Sequence, residues 1–298
     1  MNRPIWRQRL LIPFLLPALL LYGVFFIYPA LNALKLSFTN LTGFIPQGEY
    51  VGLANFSQQV NDDVFILALT NTLKIALGST VLVFGLAFAF SIAISRKEVH
   101  GKSFFRTLIF FPSILPGVAL GMLWIFIYSP NIGLLNGILR SIGMDNLALP
   151  WLSPDYALGA VIVALAWTFT GYYTVILLAG ISRIPEDFYD AARVEGANEM
   201  QIFFKVTLAM IWDVLAMALV MWTIFALKTF ELVLTMTAGG PANATLTLYI
   251  LIYRLAFGTR TPIYKMGYAA SIGVTLLGII LLATLVQRAL MRRAEIEY

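Results

Sequence analysis

The sequence predicts an all-α integral membrane protein with six transmembrane helices, and three observations carry that reading. Hydrophobic residues fill 60% of the 298 positions and charged ones only 12%, whereas soluble domains carry about 25% charged residues. A water-soluble core cannot hide that much apolar surface. The apolar residues fall into six runs, each close to or above the roughly 20 residues that cross a hydrocarbon core. Lysine and arginine crowd alternate gaps between the runs, 13 against five, the asymmetry that orients membrane proteins.

Arg3, Arg7 and Arg9 precede an apolar run over 10–34 that carries Pro13, Pro17 and Pro29. It is longer than the apolar region of a signal peptide and lacks a small-residue cleavage site, so it reads as an uncleaved first span. Lys35 to Asp63 is a polar loop of 29 residues with Gly43, Pro46 and Gly52, too small for a domain, with a short surface helix expected around Ala54 to Val60. The second span covers about 65–94 and is followed by Arg96, Lys97, Lys102 and Arg106; the third covers 107–128. Asn131, Gly133, Asn136, Gly137, Gly143, Asp145, Asn146 and Pro154 make 129–155 an outer loop with some helical character, before the fourth span over 156–181. The fifth span, 207–236, and the sixth, 266–286, lead to a tail with Arg288, Arg292 and Arg293. The basic count places both termini and the 182–206 loop in the cytoplasm, and Lys35, Arg140, Arg254, Arg260 and Lys265 outside. Residues 1–298 then form a single transmembrane domain.

Two connecting stretches depart from plain loops. Residues 185–209 hold five of the fifteen acidic residues between two apolar runs. Pro185 suits a first helical position, Glu186 and Asp187 favour the positive end of a helix dipole, and Gly196 suits a C′ stop. Asn198 with Gln201 resembles a capping box that starts a second short helix, with Ile202, Phe203 and Val206 as its apolar side. Phe188 and Tyr189 beside Ala191 and Ala192 set aromatic anchors next to small residues, the pattern of a docking surface; an amphipathic connector on lipid headgroups is the other reading. Residues 238–264 begin with Gly239-Gly240-Pro241, which forces a turn. Asn243 or Thr245 can cap the 13-residue apolar stretch to Phe257, which is too short to span and reads as a re-entrant helix or one at the outer mouth.

Catalytic and metal chemistry finds no constellation. There is no cysteine and one histidine, His100, and no His-x-x-x-His, Gly-x-Ser-x-Gly or metal-spaced acid pair. Gly101-Lys102-Ser103 ends like a phosphate-binding loop, but Arg96 stands where that loop needs glycine. The net charge of +5 lies in residues that flank spans, so nucleic acid is not indicated. Charges inside spans carry more weight, since one at mid-bilayer costs at least about 2.5–3.5 kcal/mol. Lys228 and Glu231 stand three apart in the fifth span, hence on one face, where they could pair or line a solute path. Trp222, Phe230 and Tyr173 are candidates to line the same path, although aromatic residues in membrane helices more often pack or sit at interfaces. Asp213 and Lys74 lie nearer span ends, where snorkelling suffices.

Tyr189-Asp-Ala-Ala-Arg-Val-Glu-Gly-Ala197 resembles the EAA loop of permease subunits in bacterial binding-protein-dependent ABC importers. That pattern is Glu-Ala-Ala, three residues, glycine, nine residues, then Ile-x-Leu-Pro. Asp190, Ala191, Ala192, Gly196, Val206 and Leu208 stand at matching positions, with Asp for Glu, Val for Ile, and Ala209 for the proline. Gly52-Leu-Ala-Asn-Phe56, Asn71-Thr72, Phe105-Arg-Thr107 with Pro112, and Thr237-Ala-Gly-Gly-Pro241 resemble the sugar-importing branch related to the larger maltose permease and a glycerol-phosphate permease. The resemblance implies a type I ABC importer permease fold in a bacterial inner membrane, with a cytoplasmic coupling-helix loop. It implies as partners a paralogous second permease, a cytoplasmic ATPase dimer, an extracytoplasmic solute-binding protein and a carbohydrate. ATP and Mg would belong to the ATPase, with no cofactor in this chain and no enzyme activity of its own. Phe188, Tyr189, Asp190, Ala191, Ala192, Glu195, Gly196 and Ala197 would couple to the ATPase. Gly239, Gly240, Pro241 and Asn243 would meet the binding protein. The alternatives are an ion-coupled secondary transporter, which needs a relay and commonly an inverted repeat, and a membrane enzyme, whose active site is missing.

Overall fold

The computed structural model of the chain describes residues 5–43, 48–95, 100–258 and 264–291, with the backbone alone at 5–12 and 14. Arg3, Pro46, Arg96, Lys97, Arg260, Arg292 and Arg293, and the side chains of Arg7 and Arg9, lie outside the described residues. The described elements are helical, with one isolated bridge between Thr39 and Tyr50. Four helices are long and apolar enough to cross a membrane, or up to six if each of two bent pairs is one span. Two compact units divide the chain: residues up to Asp63 with Leu251–Leu277, and Val64–Ile250 with the residues from Gly278 on.

In the first unit, α1 (Ile5–Tyr22) runs through a π turn (Gly23–Ile27) into α2 (Tyr28–Leu36). The span within them, Leu15–Leu36, has no fully buried residue in its apolar window, which suits a helix whose solvent is lipid. The polar connection after it is tied down by side chains. Asn55 of α3 (Ala54–Val60) donates to the carbonyls of Ser37 and Thr39 at 2.9 and 2.8 Å. Gln59 donates to Ser271 and accepts from Thr275, both at 2.8 Å, and Tyr268 donates to Asp62 at 2.6 Å. Buried polar side chains paired in this way fix the loop, because an unpaired one would be costly.

The second unit holds most of the bundle. α4 (Asp63–Ser95) is one unbroken helix. In place of a continuous third span over 107–128, the chain forms α5 (Lys102–Phe110), a 3₁₀ turn (Phe111–Ile114) and α6 (Gly117–Ile127), and the halves meet at 101°. Pro116 is the reason: it has no N–H to donate, and it drives Leu115 to φ −74°, ψ 142°, out of the helical region. After α7 (Leu134–Ser141), Trp151 donates to Asn136 at 2.7 Å and folds the loop back on itself. α8 (Ala157–Ile181) is the most buried of the long helices.

The expected fifth span over 207–236 is also divided. α9 (Glu186–Val194) and α10 (Glu199–Ile202) lead through a π turn (Phe203–Thr207) to α11 (Leu208–Met210). A 74° bend at Ile211 then starts α12 (Trp212–Leu227), and a second break over 228–230 separates it from α13 (Glu231–Thr237). Lys228 and Glu231 therefore do not share a helix face, and the expectation that they do is corrected. Neither break holds proline or glycine; the second is explained by tertiary packing, which overrides local propensity. α13 lies against α6, where Gly121 lets the backbones approach closely: a Cβ there would stand 3.3 Å from Leu232 O. α14 (Leu248–Phe257) and α15 (Met266–Met291) complete the chain.

Candidate functional site

Three places in the second unit gather the residues singled out in the sequence. The first is the α9–α10 pair. Pro185 is the residue before the helix rather than its first turn, and Glu186 and Asp187 occupy the positive end of α9. α9 ends in a Schellman motif: Ala197 N–H donates to Ala192 O and Gly196 N–H to Arg193 O, both at 3.0 Å, with Gly196 left-handed at φ +79°. Asn198 and Gln201 then form the expected capping box, each side chain accepting from the other's backbone N–H at 2.9 Å. The facing ends of the two short helices are thus closed by their own residues.

What that corner presents is apolar and acidic. Val194 is 89% exposed, and Phe188, Met200 and Phe204 are also exposed. Asp190 pairs with Arg193 at 3.2 Å on the surface, where such a pair contributes little stability. Ala191, Glu195 and Gly196 are exposed and Ala192 and Ala197 half-buried. Tyr189 faces inward, accepts a hydrogen bond from Thr207 at 3.4 Å, and lines a cavity of about 790 Å³ with Lys102, Arg106, Arg193 and Glu199.

The second place is a cavity of about 320 Å³ at the breaks. Leu115 and Gly117 of the α5–α6 break, and Lys228, Thr229, Phe230 and Glu231 of the α12–α13 break, line it. Phe169, Phe225 and Tyr249 add aromatic walls. Lys228, Phe230 and Glu231 are brought together here as candidates; Tyr173 and Trp222 are not. Those two are 3% and 0% exposed in a packed aromatic cluster, ring centroids 5.4 Å apart, with Trp222 donating to Thr80 at 2.9 Å. Phe169, Phe225 and Tyr249 escaped sequence reasoning because aromatic residues in an apolar run carry no sign of which face a cavity.

The third place is the turn after α13. Ala238, Gly239, Ala242 and Asn243 all adopt positive φ, and the Gly240–Pro241 peptide is cis. Gly239 is buried and shapes the turn, Gly240 and Asn243 are half-buried, and Pro241 and Ala242 form the exposed tip. Thr245 donates to Gly240 O at 2.9 Å. Asn71 of α4 donates to the carbonyls of Asn243 and Leu246 at 3.1 and 3.2 Å, and Leu248 N–H, at the start of α14, donates to Thr72 at 2.9 Å. Among the described residues no group of three or more His, Cys, Asp or Glu side chains has metal-binding geometry.

Residues 81–296 match the family described as binding-protein-dependent transport system inner membrane component. A diacetylchitobiose uptake system permease protein, NgcF, from Streptomyces coelicolor is 32% identical over 92% of this chain and 80% of its own. An sn-glycerol-3-phosphate transport system permease protein, UgpA, from Agrobacterium fabrum is 32% identical over 93% of each chain. The fold is similar to that of a chain in a bacterial alginate ABC transporter solved in complex with an alginate pentasaccharide-bound periplasmic protein. That likeness has a TM-score of 0.80 at 24% identity, over 97% of this chain and 96% of the other.

Proposed function

The chain belongs to the family of binding-protein-dependent transport system inner membrane components, and from that premise we propose that it is the permease subunit of an ATP-driven carbohydrate importer. Relatives named for diacetylchitobiose and glycerol phosphate support a solute with a hydroxylated skeleton. In this reading ATP and Mg are bound by a separate cytoplasmic ATPase dimer, a second permease completes the path, and a solute-binding protein delivers cargo on the other side. Both termini and the α9–α10 corner face the cytoplasm.

The exposed α9–α10 corner is the observation that carries the proposal. A corner that closes its own helix ends and still leaves Val194 and Met200 in water is built to be covered. It docks in the ATPase, with Phe188 and Val194 as apolar anchors and Ala191 and Ala192 permitting close approach. Asp190, Glu195, Gly196 and Ala197 orient it. The solute passes the Lys228–Glu231 cavity, lined also by Phe225 and Phe230, and Pro241 with Asn243 meets the binding protein. Nothing among the described residues favours the ion-coupled alternative.

Replacing Ala191 and Ala192 together by leucine tests this reading. The altered chain should reach the membrane in normal amounts but lose solute uptake and stimulated ATP hydrolysis. Full uptake in that double variant would overturn the docking surface.

A further inference from the structure

We propose that the Lys228–Glu231 cavity selects an uncharged saccharide ring over an acidic one, with Glu231 as the specificity-determining residue and Gly117 as the residue that positions it. The inference rests on reading this cavity as part of the solute path. Lys228 and Glu231 both line it, yet among the described residues neither forms an ion pair, with the other or with a third group. The break over 228–230 puts them at the ends of different helices, so nothing holds them together. Both are exposed to that opening, and two opposite charges that do not neutralise each other leave an ammonium with three donors and a carboxylate with only acceptors turned to one small space.

A neutral polyol satisfies both, because each hydroxyl donates to a carboxylate and accepts from an ammonium. An anionic solute gains from Lys228 but is set against Glu231, and it must shed its own hydration to do so. Phe169, Phe225, Phe230 and Tyr249 supply the flat apolar walls that match the faces of a sugar ring. The volume of about 320 Å³ is at the lower end of small-molecule sites, room for one ring rather than a chain.

Gly117 decides where the carboxylate sits. A Cβ at that position would stand 2.8 Å from Glu231 Oε2 and 3.0 Å from Glu231 Cβ, so the carboxylate occupies the volume that any other side chain would fill. Gly121, one turn on, instead faces Thr235 and serves the helix contact. Gly117 therefore acts on the cavity through Glu231.

The test uses the complete transporter in lipid nanodiscs and equilibrium binding of two probes that share a ring and differ in charge, glucose and glucuronate. The wild-type complex should favour glucose by about tenfold or more, the scale on which opposed like charges discriminate. Glu231→Gln, which keeps the shape, should bring the two within about twofold. Gly117→Ala should do the same, add nothing to Glu231→Gln, and be rescued by the shorter Glu231→Asp. A wild-type ratio near one, or a ratio unmoved by Glu231→Gln, would overturn the proposal; additive effects would overturn the role of Gly117. If Phe225→Ala abolishes glucose binding while the charge variants leave the ratio unchanged, this inference alone falls. If neither probe binds the wild type, the reading of the cavity falls with it.

Discussion

Gly196 shows how one residue can be required without touching anything. Its φ of +79° is a conformation that costs an ordinary residue about 1–2 kcal/mol, while a Cβ added there would meet no atom of the chain within 4 Å. The requirement is therefore backbone geometry at the end of α9, not space inside the bundle. Uptake should fall in the order Gly196→Asn, Gly196→Ala, Gly196→Val, because asparagine tolerates the left-handed region and β-branched residues resist it. Equal activity of the Asn and Val variants would show that the turn is not what matters. Trp222 makes the opposite case. Fully buried and bonded to Thr80, it should respond to Trp222→Phe with lost stability, about 1–2 kcal/mol for a buried membrane hydrogen bond and some packing. A changed solute KM without a change in thermal stability would return it to the solute path.

Helix-to-helix contacts in lipid gain nothing from the hydrophobic effect, so they depend on close approach, and the α6–α13 contact illustrates it. A Cβ on Gly121 would stand 2.5 Å from Thr235 Cβ and 3.3 Å from Leu232 O. Gly121→Ala should accordingly destabilise the purified complex by about 1–3 kcal/mol, the usual range for overpacking. Thr235→Ala should not rescue it, since the clash is with Cβ itself; rescue in a thermal-shift assay would place the clash elsewhere. The same contact explains why part of the fold was hidden in the sequence. Helix ends with their own chemistry were legible: the Gly196 stop, the Asn198–Gln201 box, the helix over Ala54–Val60. The break at Pro116 was written in a proline and passed over inside an apolar run. The breaks at Ile211 and over 228–230 are written in no residue type, and the second follows from what α13 packs against. The cavity was half legible for the same reason: Lys228 and Glu231 stand out as charges in an apolar run, whereas Gly117, Phe169 and Tyr249 look like any membrane-helix residue.

The whole chain carries an orientation that its composition makes unusually simple to measure. Thirteen lysines and arginines lie in segments assigned to the cytoplasm against five outside, and that bias sets which face the α9–α10 corner meets. Because the sequence contains no cysteine, a single introduced thiol is the only one on the chain. Met200, exposed on the corner, and Ala242, exposed at the tip of the Gly-Gly-Pro turn, are the informative positions. With a membrane-impermeant maleimide, Ala242→Cys should label in intact cells stripped of their outer envelope, and Met200→Cys only in inverted vesicles washed with urea. Labelling of both from the same side would contradict the assigned topology. The second step separates orientation from docking. In inverted vesicles that retain the ATPase, Met200→Cys should be protected, and removing the ATPase with urea should expose it. Protection that is absent from the start would leave the topology standing and remove α9–α10 as the contact through which ATP hydrolysis reaches the membrane helices.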